Sequence, residues 1–96
     1  MTEYKLRAGH CYELAVRYLL NEGKGTLVHG TVIAGNPRRE MGHAWVEVGN
    51  QVYEPIEGEL MDKDVFYDLY SAKSSKRYSK VRAYVKVLKE NNYGPW

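Results

Sequence analysis

The stretch from Gly42 to Ile56 constrains the fold more than any other part of the chain. Two short apolar-rich runs, Gly42 to Val48 and Gln51 to Ile56, flank a Gly49-Asn50 pair, and that pattern predicts a β-hairpin. The Gly-Asn order favours a different turn type from Asn-Gly. With Gly49 and Asn50 at the centre of the turn, Val48 pairs with Gln51, Glu47 with Val52 and Trp45 with Glu54. Side chains alternate between faces along a strand, so His43, Trp45, Val52 and Glu54 then share one face. His43 and Glu54 become diagonal neighbours, roughly 7 to 8 Å apart at the backbone and within reach of a carboxylate extending towards an imidazole. A longer turn of even length keeps this arrangement. An odd loop puts Glu54 on the opposite face.

Other segments carry their own periods. Cys11, Leu14, Ala15, Tyr18 and Leu19 recur at helical spacing, with Glu13 and Arg17 as an i, i+4 pair outside. This predicts a helix ending near Asn21, stopped by Gly23 and Gly25. Leu27, Val28, Val32 and Ile33 predict a strand from Thr26 to Ala34, broken by Gly35, Asn36 and Pro37. Val65, Phe66, Leu69 and Tyr70 fit a short helix capped by Asp62 or Asp64. From Tyr78 to Leu88 the expectation is a strand, with Val81, Ala83, Val85 and Val87 turned to the core and Arg82, Tyr84, Lys86 and Leu88 outward. The order α, β, β, β, α, β describes an α+β domain on an antiparallel sheet. With 96 residues, 44% of them hydrophobic, the chain supplies one core and is expected to form one domain over residues 1 to 96.

Several classes are disfavoured. Cys11 is the only cysteine, so the chain holds neither an internal disulfide nor a cysteine-rich zinc site, and a reducing, cytoplasmic setting is expected. His10, His29 and His43 follow no recognised metal-ligand spacing, and no metal or cofactor is expected. His10 and His29 are read as surface or satisfied structural histidines. Glu3, Lys5, Arg7 and His10 interrupt the N-terminal stretch, and no run approaches the roughly 18 to 20 apolar residues of a membrane span. The net charge of +2 hides an asymmetry: residues 1 to 72 hold 7 Lys/Arg against 11 Asp/Glu, and residues 73 to 96 hold 7 against 1.

Cys11 is the residue with chemistry to offer. At the first turn of a helix, exposed N–H groups and the positive end of the dipole favour a thiolate over a thiol. Gly9 lets the backbone approach a substrate, and Arg7 and His10 add positive charge nearby. A lone cysteine on an apolar helical face also serves as a small core residue. The hairpin shifts the balance, because an acid beside His43 can fix its tautomer and stabilise its imidazolium, the orienting role in a nucleophile, base and acid triad.

The segment GHCYELAVRYLL, the 32 positions from Cys11 to His43, and then GHAWVEVGNQVYEPI resemble the transglutaminase-like branch of the papain-like superfamily. The resemblance covers residues 8 to 57, and its strongest piece is HAWVEV followed, 11 positions after the histidine, by an acid and Pro55. It implies a Cys-bearing helix on an antiparallel sheet, with Cys11 attacking an amide, ester or thioester carbonyl of a peptide or amide substrate, His43 moving the proton and Glu54 orienting His43. Two positions depart from the pattern: Glu54 stands where the family has Asp, and no oxyanion-stabilising Gln precedes Cys11. The backbone N–H of Cys11 offers one oxyanion donor.

Around this centre, Trp45 is expected to wall a pocket or join the core, and Arg38 and Arg39 to meet an acidic group of a substrate or simply to form an exposed loop. Glu47 reads as an outer-edge or hairpin residue. Lys73, Lys76, Arg77, Lys80, Arg82, Lys86 and Lys89, interleaved with Tyr78 and Tyr84, offer a surface to an acidic protein or to nucleic acid, or a solvated face. A catalytically silent core that binds such a partner is the competing function. For an enzyme, the sulfur of Cys11 is expected to face His43.

Overall fold

The structure is a computed structural model in which residues 10–96 are described; Gly9 and Arg7, named above beside Cys11, lie outside them. Helix α1 (Cys11–Glu22) buries Ala15, Val16 and Leu19 completely. It ends at Gly23, whose φ of 79° is the left-handed region that glycine enters without a Cβ clash and whose N–H donates to the Leu19 carbonyl.

Strand β1 (Thr26–Ala34) pairs antiparallel with β2 (Arg39–Val48) along its whole length. Strand β3 (Gln51–Glu54) pairs with β2 as Val48 to Gln51, Glu47 to Val52 and Val46 to Tyr53, the register that the Gly49-Asn50 turn predicts. A strand the sequence did not suggest, β4 (Glu59–Asp62), then folds back on β3. Its four residues are mostly exposed, so they carry no apolar alternation to reveal it. Asp62 caps the short helix α2 (Lys63–Leu69), accepting from the N–H groups of Asp64 at 2.9 Å and Val65 at 3.3 Å. Strand β5 (Lys73–Ser79) pairs with the other edge of β1, and helix α3 (Lys80–Glu90) closes the described chain. The result is an α+β fold with a five-stranded antiparallel sheet in the order β4-β3-β2-β1-β5.

The expected strand from Tyr78 to Leu88 is corrected. Only Tyr78 and Ser79 of it are strand, and Ser79 starts a helix by accepting from the Arg82 N–H at 3.2 Å. Val81 and Val85, expected in the core, are 71% and 53% exposed, whereas Ala83 is fully buried and Val87 packs against the core. The run of Val, Ala and Val at every second residue also contains an i, i+4 pair, Ala83 and Val87, and the cap selects the helical alternative. The pairing strand is instead the polar segment Lys73–Ser79, in which Tyr78 alone is buried.

The sheet separates two apolar clusters. On one face α1 and α3 pack Ala15, Val16, Leu19 and Ala83 against Leu27, Ala44, Val46 and Tyr78. On the other, Phe66 of α2 meets Val28, Val32, Trp45 and Val52. Gly30 is required where β1 meets β5: a Cβ there would lie 1.9 Å from the Lys73 carbonyl oxygen and 2.9 Å from the Trp45 ring, at a register shift between His29 and Gly30.

Candidate active site

Alternation along β2 puts Ala44 and Val46 under α1 and leaves His43, Trp45 and Glu47 on the α2 face. The body of α1 and the ring of His43 therefore belong to opposite faces of the sheet. Contact is made at the end of the helix. The β2–β3 ladder is recorded only from Val46 to Val48, so the part of β2 near His43 lies beyond it. Gly42 makes room there, because a Cβ on it would stand 3.0 Å from the Tyr12 hydroxyl. Cys11 lines the same cavity as Gly42, His43 and Glu54, and its thiol is close enough to the His43 ring to help raise the ring's pKa.

His43 is held by Glu54. Its Nε2 donates to Glu54 Oε1 at 2.6 Å, which leaves Nδ1 as the other ring nitrogen. Glu54 is fixed in turn by the turn that follows it: the Glu57 N–H donates to Oε2 at 2.7 Å, the Ile56 N–H also donates to the carboxylate, and the Gly58 N–H closes the turn onto the Glu54 carbonyl at 2.8 Å. The methylene that distinguishes Glu from Asp is thus absorbed by the turn, and the carboxylate reaches the ring with both oxygens satisfied.

Both groups are nearly inaccessible, with side chains 9% and 5% exposed. Burial by itself lowers the pKa of His43, but the hydrogen bonds with Cys11 and Glu54, and the charges of both, outweigh it and raise the value to about 9. Burial likewise raises that of Glu54, and the His43 hydrogen bond, the Glu57 N–H and the His43 charge together bring it below the usual carboxylate value. At neutral pH the pair is therefore imidazolium and carboxylate.

The helix start leaves backbone donors near the thiol. His10 at the N-cap makes no side-chain cap bond; its exposed ring lies 3.7 Å from Glu13 instead. Among the described residues, no side-chain cap from His10 takes up the first-turn N–H groups, that of Cys11 included. The cavity has a volume of about 130 Å³, and Val32, Ala34, Met41, Ile56, Phe66 and Tyr70 form its apolar wall.

The other candidates lie elsewhere. Trp45 is fully buried against Phe66 and Tyr67, with its ring centroid 6.1 Å from that of His43, and does not line the cavity. Arg38 and Arg39 are exposed near the β1–β2 turn, outside the lining. His29 is buried in an aromatic box of Tyr12, Tyr78 and Trp96, and neither ring nitrogen has a hydrogen-bond partner among the described residues. Burial, helped by the charge of Lys76, pushes its pKa down to about 4, so it is a neutral packing group.

Glu47 is no edge residue. It is 8% exposed and receives Arg77 Nη1 at 2.6 Å, Arg77 Nη2 at 3.2 Å and the Tyr67 hydroxyl, with Lys63 Nζ at 3.7 Å. Tyr67 also accepts from Trp45 Nε1 at 3.2 Å. The carboxylate thereby ties β2 to α2 and β5 beneath the site. Its parity with His43 and Trp45 was the available signal, since an acid on an inward face needs partners.

Cysteine at a helix start, histidine on a strand and glutamate at the end of the next strand thus line one largely apolar cavity of an α+β domain. Comparison with protein-family models, with curated proteins and with solved structures returns no match to the chain.

Proposed function

We propose that the protein is a cysteine-dependent acyl-transfer enzyme with a transglutaminase-like, papain-like core, acting on peptide or amide carbonyls through a thioester on Cys11. The observation that carries this is that His43, bonded to Glu54, lines one cavity together with Cys11. An imidazolium beside a thiol favours its nucleophilic form. The sulfur attacks the carbonyl carbon, and the resulting oxyanion is met by the Cys11 N–H at the helix start. When the tetrahedral adduct collapses, the bond to the leaving amine breaks and His43 supplies its proton.

Having given its proton to the leaving amine, the His43 ring is the base for the second half. It takes a proton from water, hydroxide adds to the thioester, and the acid leaves as the Cys11 thiolate and the imidazolium re-form. Water is the default acceptor; an amine in its place makes the protein a transferase. Glu54 keeps Nε2–H pointed at itself throughout, which frees Nδ1 for the proton transfers.

The direct test is alkylation of Cys11 by iodoacetamide near pH 7, followed by intact mass. Rapid labelling that slows at least about tenfold in His43→Ala is expected, as for a thiolate held by its neighbour. Slow labelling that ignores His43 sinks the proposal.

A second reading has its own support in α3. Val81, Val85 and Leu88 are exposed on one stripe, with Arg82, Lys86 and Lys89 along its flank and no ion pair recorded for any of the three among the described residues. A phosphate backbone would meet the cations and leave the apolar stripe uncovered; an acidic, amphipathic protein segment covers both. Affinity for such a segment should weaken with salt and fall in Arg82→Gln/Lys86→Gln, and be lost in Val85→Asp. If single-stranded RNA or DNA binds instead, with a salt slope that drops in the double variant and ignores Val85→Asp, the partner is nucleic acid and this reading fails.

A further inference from the structure

The cavity beside Cys11 also selects among acyl groups. Resting on the acyl-transfer reading above, we infer that the site takes an uncharged acyl group with a small apolar side chain, about the size of a short alkyl chain or a single aromatic ring.

Three features of the cavity lead there. Its volume of about 130 Å³ approaches the roughly 150 Å³ of an apolar protein cavity that takes up benzene, a group of six carbons. Val32, Ala34, Met41, Ile56, Phe66 and Tyr70 come from three directions, namely the β1–β2 hairpin, the turn after β3 and helix α2 with its C-terminal residue. Phe66 is fully buried beneath the sheet, so this wall is backed by core and does not yield to a longer chain. The charge on the lining is wholly acidic apart from His43: Glu54 is committed to the ring, and Glu57 is exposed. Among the described residues no Lys or Arg lines the space. A carboxylate on the acyl chain would lose its hydration and face like charges, which disfavours it more strongly than one missing methylene disfavours a shorter alkyl group.

The nucleophile stands in the lining itself. An acyl carbon bonded to the Cys11 sulfur therefore has its substituent directed along the apolar wall, while the leaving group departs on the side from which His43 Nδ1 delivers its proton. Selectivity falls on the acyl side of the scissile bond.

The experiment is Cys11 labelling by bromomethyl ketones whose alkyl group runs from methyl through propyl, benzyl and octyl, with a carboxypropyl member, in parallel with turnover of thioesters carrying the same acyl groups. The labelling rate should rise about fourfold per methylene until the cavity is full, fall at octyl, and be lowest for carboxypropyl. Ala34→Leu narrows the space from a partly exposed position and should move the optimum towards methyl; Met41→Ala, at a residue 39% exposed, should admit octyl. Both positions lie off the fully buried core, and circular dichroism of each variant confirms that the fold is kept. Rates that climb steadily with reagent hydrophobicity and ignore both substitutions overturn the inference. The two proposals separate cleanly: a size optimum in labelling without any thioester turnover keeps the acyl-group selectivity of the cavity and removes acyl transfer, whereas turnover indifferent to chain length keeps acyl transfer and removes the selectivity.

Discussion

Glu54→Gln is expected to lower turnover by about 10² to 10⁴-fold, the range seen when the acid of a triad loses its charge and the base adopts the wrong tautomer. Gln retains the length that lets position 54 reach His43 Nε2 at 2.6 Å, and its carbonyl can still accept that bond. Two things are lost. The amide does not offset the imidazolium, so the ring gives up part of what holds its proton. The amide nitrogen also cannot accept from the turn, where the Glu57 N–H now donates to Oε2 at 2.7 Å, and an unmet buried donor costs about 1 to 3 kcal/mol. The side chain satisfies either the ring or the turn, but not both. Circular dichroism and a urea midpoint should show a folded, somewhat weakened protein, with the defect in kcat. Wild-type turnover in this variant removes Glu54 from the mechanism.

Stability should depend on pH through the same pair, and the sign follows from the two directions of shift. His43 binds its proton more tightly folded than unfolded, about 9 against an ordinary 6.5. Its contribution is fully present below about pH 6.5 and is lost as pH rises through about 9. Between those limits the folded state carries up to one more proton, so this term falls by up to tenfold in the folding constant per pH unit. Glu54 acts oppositely: its pKa is depressed on folding, so its contribution is present above the ordinary value of 4.5 and disappears as acid protonates the folded carboxylate. The pair is at full strength between about pH 4.5 and 6.5. Urea midpoints across pH 5 to 9.5 should decline on the alkaline side in wild type and decline less in His43→Gln, which removes the titrating ring. Equal slopes for the two proteins would show that the ring is not held as an imidazolium.

Local chemistry accounts for most of what could be read in advance. The Gly49-Asn50 turn and the two-residue alternation around it fix the β2–β3 register, and with it the shared face of His43 and Glu54, because strand parity is a local rule. The apolar spacing from Cys11 to Leu19 and the glycine at position 23 fix α1 for the same reason. Segments whose pattern fits two periods, or none, were not legible. Val81 to Val87 satisfies alternation and helix alike, and a single Ser79 cap decides between them. Lys73 to Ser79 shows no apolar alternation, and it becomes a strand because β1 has a free edge and Gly30 lets the backbone close on it.

The site divides along the same line. Sequence by itself singled out Cys11, His43 and Glu54 as candidates and put His43 and Glu54 on one face, since the first rests on residue type and the second on neighbouring register. Only the tertiary structure decided that Cys11 reaches His43 from a helix lying on the other face of the sheet, past Gly42 and beyond the recorded end of the β2–β3 ladder. It also decided that the turn after β3 grips Glu54, that Trp45 lies in the core, and that Glu47 is a buried anchor for Arg77 and Tyr67. The Glu47–Arg77 bond joins residues 30 positions apart around the same sheet. Each of these placements depends on how helices pack across its faces and where its strands stop, which no local period encodes.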